Sequence, residues 1–168
     1  MTAGQAIKNC MKKYATFAGR AARPEYWWFF VFCAVLALVL LVMDAALFNT
    51  VSKSSQASAQ ENPTENVLYI PFTAAFLLAV ALPLISAGWR RMHDTGRSGV
   101  HLLYPFIVGF GLYSFISYAG QGGDFAEIAV GLIVLVLAIS PMIVFWWLSR
   151  PSQTSDNIYG PNPHEVSP

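Results

Sequence analysis

The chain has 168 residues, 55% of them hydrophobic and only 11% Asp, Glu, Lys or Arg. A soluble domain carries about 25% charged residues, so the composition excludes an ordinary water-soluble fold. The net charge of +1 also excludes a global basic field, and no nucleic-acid partner is expected.

Residues 1–25 are polar and basic. Within them Ala3–Ala18 predicts an amphipathic helix. Ile7, Cys10, Met11, Tyr14, Phe17 and Ala18 share one face, while Gln5, Lys8, Asn9, Lys12 and Lys13 fill the other. That pattern suits a helix on an anionic leaflet, or one packed on its own protein's surface. Arg23-Pro24-Glu25 then opens the first apolar stretch. Proline fits the first helical turn, and Glu25 complements the positive end of the dipole.

Four apolar stretches follow, at about 26–48, 67–89, 100–118 and 128–148. A helix of ~20 apolar residues crosses the ~30 Å hydrocarbon core. The expected fold is therefore all-α: a polytopic membrane protein with four transmembrane helices and an N-terminal amphipathic interfacial helix. Residues 26–148 form the membrane domain and 149–168 a polar tail. The first stretch exceeds the 7–15 residues of a signal-peptide core and is read as a retained anchor. Asp44 is the only acid within a stretch, so no carboxylate chain offers a proton path. Pro83, Pro105 and Pro141 predict kinks, and Gly109, Gly111, Ser114 and Gly131 offer close helix contacts. Residues 49–66 read as a flexible polar loop and 119–123 as a short turn. No internal repeat is visible.

Nine of the ten Lys and Arg residues fall on one side of this arrangement; only Lys53 falls on the other. The positive-inside rule puts both termini and the 90–99 loop in the cytoplasm. The loops carrying Glu61, Glu65, Asp124 and Glu127 then face outward. Trp27, Trp28, Trp89, Trp146 and Trp147 all fall at the cytoplasmic ends, where indoles favour the headgroup layer.

The densest polar cluster runs from Trp89 to Gly99. Asp94-Thr95-Gly96 has turn chemistry, Ser98 or Gly99 suits the start of the next helix, and Arg90 and Arg91 suit the end of the last one. One reading is a structural cap, with Asp94 paired to an arginine of its own loop or of the Arg20/Arg23 segment. The other is a site for an anionic headgroup or phosphate, since guanidinium forks bind phosphate bidentately. His93, Asp94 and His101 lack a third metal ligand, and neighbouring arginines oppose a cation. No nucleophile lies near His93 except Ser98, so acid–base catalysis has little support. Cys10 and Cys33 have no metal or redox spacing and read as small apolar residues. No catalytic residue, metal or cofactor is expected.

Three motifs carry a resemblance. Phe17-Ala18-Gly19-Arg20-Ala21-Ala22-Arg23-Pro24-Glu25-Tyr26-Trp27-Trp28, Arg90-Arg91-Met92-His93-Asp94-Thr95-Gly96-Arg97-Ser98-Gly99 and Asn157-Ile158-Tyr159-Gly160-Pro161-Asn162-Pro163 stand in that order. The chain resembles domain-of-unknown-function family 805, small bacterial inner-membrane proteins of the YhaH type. It departs from the family pattern at Met92, at Val100-His101 and in a longer loop at 49–66. The resemblance implies an inner-membrane fold and no activity. If the motifs assemble, Arg20, Arg23, Arg90, Arg91, His93, Asp94, Arg97, Asn157 and Tyr159 form one cytoplasmic polar cap.

The favoured function is a non-catalytic membrane protein whose cap binds anionic phospholipid or a partner membrane protein, with homo-oligomers allowed. The alternatives are a small transporter or channel subunit and, less well supported, an enzyme acting on phosphate-bearing lipids.

Overall fold

The computed structural model describes residues 1–49, 70–119 and 123–163. Helix α1 (Ala3–Lys12) opens with a capping box: the Thr2 hydroxyl accepts from the Gln5 N–H, and the Gln5 side chain accepts from the Thr2 N–H at 2.9 Å. Ala6 and Cys10 are buried and Ile7 packs on the core, so α1 lies against the protein itself. The helix ends at Lys12, short of the Ala18 expected from sequence. The reason lies in the next helix but one. Ser86 Oγ sits within hydrogen-bond reach of the Lys13 and Tyr14 carbonyls, 3.3 and 3.1 Å away. Phe17 packs edge-on to Trp89 at 5.6 Å. These contacts draw the chain out of the helix and along its neighbour.

Helix α2 (Arg23–Asp44) continues as a π turn over Ala45–Asn49. Asp44 is fully buried and caps α3 (Pro71–Asp94). Its carboxylate accepts from the Phe72 N–H at 3.2 Å and the Thr73 N–H at 2.8 Å. The one acid within an apolar stretch therefore satisfies a helix end. A 3-10 turn (Gly99–Leu103) leads into α4 (Tyr104–Ala119), and α5 (Gly123–Ser149) completes the bundle. Helix α5 begins at Gly123, earlier than the stretch at 128–148 suggested. Most of the loop expected at 49–66, with Lys53, Glu61 and Glu65, lies outside the described residues, as do 120–122.

Helix α2 packs on both α1 and α3, and α4 on α5. The core gathers at one end, around Tyr26, Phe29, Cys33, Ala87, Met92, Val144 and Leu148. Trp27 and Phe30 of α2 meet Phe145 of α5 at 5.7 and 5.8 Å. Elsewhere large apolar side chains face outward: Leu78 is 79% exposed, Phe106 and Phe110 each 74%. Water does not tolerate so large a patch, and lipid does. Three helices, Arg23–Phe48, Pro71–Asp94 and Ile128–Ser149, are long and apolar enough to cross a membrane, and Gly99–Phe115 is a shorter apolar helix.

Two internal prolines show how the bundle adapts to that solvent. Pro83 has no N–H for the Ala79 carbonyl, and Pro141 none for the Leu137 carbonyl. The Tyr14 hydroxyl donates to Ala79 O, and Ser140 Oγ donates to Leu137 O at 3.0 Å. In a bilayer no water replaces a lost donor. Ser140→Ala and Tyr14→Phe should therefore each lower stability in detergent by about 1 kcal/mol, read as a fall in melting temperature. Ser114→Ala is the control. Its hydroxyl donates to Phe110 O at 3.0 Å, but that carbonyl keeps its helical amide, and little change is expected.

Candidate functional site: a buried arginine cap

Helix α3 ends in a cluster of charges taken out of solvent. Arg90 is 1% exposed, Arg91 and Asp94 0%, Glu25 5% and Arg20 7%. A charge desolvated this way must be paired and hydrogen-bonded. Asp94 uses both oxygens: Oδ1 accepts from Arg20 Nε at 3.0 Å, and Oδ2 from Arg91 Nη1 and the Ser152 hydroxyl. Arg90 Nη1 donates to Glu25 Oε1 at 2.9 Å. Three guanidiniums face two carboxylates; backbone carbonyls take further donors of Arg20 and Arg91, whereas Arg90 Nε and Nη2 are buried with no hydrogen-bond partner among the described residues. Arg20 donates to Gln153 O at 2.6 Å, Ser155 O at 2.9 Å and Gly160 O at 3.3 Å. Arg91 donates to Leu148 O at 2.8 Å, a carbonyl that α5 leaves orphaned at its C-terminus, and to Arg150 O just beyond the helix.

Local sequence explains how these groups converge. Helix α3 closes on Gly96, at φ 75, a left-handed step that glycine takes without strain. Gly99 is the second special glycine: a Cβ there would meet the Trp89 ring at 2.1 Å, so the loop passes flat against the indole. The Ala21 N–H donates to Arg90 O at 3.1 Å and the Gln153 N–H to Asp94 O at 3.0 Å, tying both chain ends to the same turn. Asn157 Nδ2 donates to His93 O at 2.9 Å, and Tyr159 stacks flat on the His93 ring at 3.8 Å. His93 Nδ1 lies 3.1 Å from Gly19 O; since a carbonyl only accepts, Nδ1 carries the proton.

Of the nine cap residues read from sequence, seven meet: Arg20, Arg90, Arg91, His93, Asp94, Asn157 and Tyr159. Two do not join the network. Arg97 lies over the Trp147 ring at 5.2 Å, where burial lowers its pKa and nearby Arg150 adds to the effect. Arg23 is exposed. Sequence reasoning missed Glu25 as the partner of Arg90, although it stands inside the first motif. It also missed Ser152 and Gln153, which carry no motif signal. Cys10 Sγ lies 3.7 Å from Glu25 O. Burial, then the Glu25 charge, pushes the thiol up to about 11, so it is protonated and unreactive at neutral pH. Among the described residues no three His, Cys, Asp or Glu side chains converge as metal ligands.

Beside the cap lies a cleft of about 850 Å³. Its walls are the polar face of α1, the segment Gly19–Glu25 and the tail turn near Tyr159 and Pro161.

Lipid-facing helices with a buried, ion-paired cap at one end define an integral membrane protein. The chain belongs to the family described as "Protein of unknown function (DUF805)", whose model matches residues 14–161. It is similar to inner membrane protein YhaI of Escherichia coli (strain K12), 34% identical over 119 residues that cover 69% of this chain and 86% of that protein. It is also similar to inner membrane protein YhaH of the same strain, 32% identical over 117 residues, 68% of this chain and 85% of that one. No solved structure matches. The family match takes in every residue of the buried network and leaves out α1.

Proposed function

We propose that this chain is a non-catalytic, four-span inner-membrane protein that engages anionic phospholipid headgroups from the cytoplasmic side. The observation that carries the reading is the division of its charges. Arg20, Arg91 and Asp94 are paired with one another and with backbone carbonyls, and Arg90 is paired with Glu25. His93 is occupied by Gly19 O and Tyr159. A catalytic acid, base or nucleophile needs to be available to a substrate, and ion pairing and burial hold these groups inside the cap instead. Lys8, Lys12, Lys13 and Arg23 remain exposed at the same end. Met11, Tyr14 and Phe17 are 46%, 37% and 37% exposed beside the lysines, a mix suited to the headgroup layer.

Both described chain ends and the 94–99 loop meet at one end of the bundle, which supports an even number of crossings. With the positive-inside rule that end is cytoplasmic. The five-residue 3-10 turn and sixteen-residue α4 together extend roughly 34 Å at ~2.0 and ~1.5 Å per residue, enough for the fourth crossing.

The test is the lipid that co-purifies with the full chain in mild detergent. Enrichment of phosphatidylglycerol or cardiolipin over the bulk membrane is the expected result. Bulk composition in the bound fraction, or solute flux in reconstituted vesicles, would contradict it.

A further inference from the structure

The cleft beside the cap has a second feature next to it. A shallower apolar groove of about 380 Å³ runs down α2 past Arg23, Pro24, Trp27, Trp28 and Val31. Pro24 lines both the cleft and the groove, so a cleft of mixed polarity and an apolar groove are neighbours at one corner. Charge marks the same corner. Arg20 and Glu25 on the cleft wall are consumed by Asp94 and Arg90. Lys13 on the cleft wall and Arg23 on the groove wall are exposed, and among the described residues neither side chain has an acidic partner. The amides of Gln5 and Asn9 line the cleft beside Lys13 at helical four-residue spacing.

Depth narrows the ligand. The Lys13 carbonyl meets Ser86, eight residues or ~12 Å of helix before Asp94. Phe17 of the same segment meets Trp89, an indole suited to the headgroup layer. The cleft therefore opens at headgroup level, and Trp28 and Val31, 48% and 47% exposed, continue from it along the apolar part of α2.

We propose that this corner holds one anionic glycerophospholipid. Its phosphate sits between Lys13 and Arg23, its headgroup hydroxyls face Gln5 and Asn9, and one acyl chain lies along Trp27, Trp28 and Val31. The assignment rests on the lipid-binding reading above and places that lipid in a site outside the arginine network.

The test is native mass spectrometry of the full-length protein, delipidated and titrated with phosphatidylglycerol, phosphatidylcholine or glycerol phosphate. One phosphatidylglycerol per chain should be retained under conditions that strip phosphatidylcholine. The double variant Lys13→Ala/Arg23→Ala should weaken retention about tenfold or more. Its melting temperature should hold, because both side chains are exposed and have no acidic partner among the described residues, and Lys13→Arg/Arg23→Lys should restore binding. Trp28→Ala should weaken the lipid too. If the double variant retains as much lipid as the parent, the corner is wrong while lipid binding survives. If the parent shows no preference for phosphatidylglycerol, both readings fall. If glycerol phosphate alone binds as well as the lipid and Trp28→Ala is silent, the ligand is a soluble anion and the acyl-chain assignment falls.

Discussion

Asp94→Ala should be among the most damaging single substitutions in this protein. Both Asp94 oxygens are engaged by buried donors, Arg20 Nε at 3.0 Å and Arg91 Nη1 with the Ser152 hydroxyl. Removing the carboxylate leaves two guanidiniums buried at 7% and 0% exposure without their counter-charge. Breaking a buried pair from one side costs about 3–5 kcal/mol, because the stranded charge stays desolvated. The expected readout is a fall in detergent melting temperature on the order of 10 °C. Asp94→Asn should cost less, since an amide oxygen still accepts one hydrogen bond while the charge is lost. An unchanged melting curve for Asp94→Ala would mean that the arginines have other partners.

Arg91→Lys should be nearly as severe as Arg91→Ala, which is unusual for a substitution that keeps the charge. Arg91 acts through geometry as well as charge. Its Nε donates to Leu148 O at 2.8 Å, Nη2 to Arg150 O and Nη1 to Asp94. It thereby caps α5, pairs with its own turn and fastens α3 to the tail in one planar fork. A lysine ammonium is a point donor on a narrower stem and cannot span those acceptors. At least one buried carbonyl at the end of α5 would lose its donor, at about 1–3 kcal/mol each. The measurement is the melting temperature together with protease sensitivity of the tail after Arg150, which should rise in both variants. Resistance equal to the parent in Arg91→Lys would show that charge alone suffices.

How much of this was legible beforehand depends on the kind of signal. Long apolar runs announce membrane helices because lipid imposes one requirement on every residue of a span. The all-helical class and the positions of α2, α3 and α5 follow from that. Helix ends follow less well. Nothing in the sequence of Lys13–Ala18 says that Ser86 and Trp89 will draw the chain away from its helical pattern. The charged motifs were visible as clusters, yet their pairings were not. Glu25 reads as a helix-dipole residue until α3 places Arg90 beside it. Asp44 reads as an isolated acid until the amides of Phe72 and Thr73 are set against it. Arg23 and Arg97 look like members of the cap, and the fold leaves both outside the network. Carbonyl partners are the least legible of all. Gln153, Ser155 and Leu148 contribute through backbone atoms that every residue possesses, so no side-chain pattern foreshadows them.

A double-mutant cycle across Arg20 and Asp94 reads the assembly most directly, since these residues stand 74 positions apart and couple only if the lead-in segment docks on the α3 turn. With Arg20→Ala, Asp94→Ala and the combined variant compared in detergent, a coupling of about 1–3 kcal/mol is expected, the second truncation costing far less once the first is made. Additivity to within about 0.5 kcal/mol would mean that the two motifs do not touch, and the buried cap would have to be abandoned.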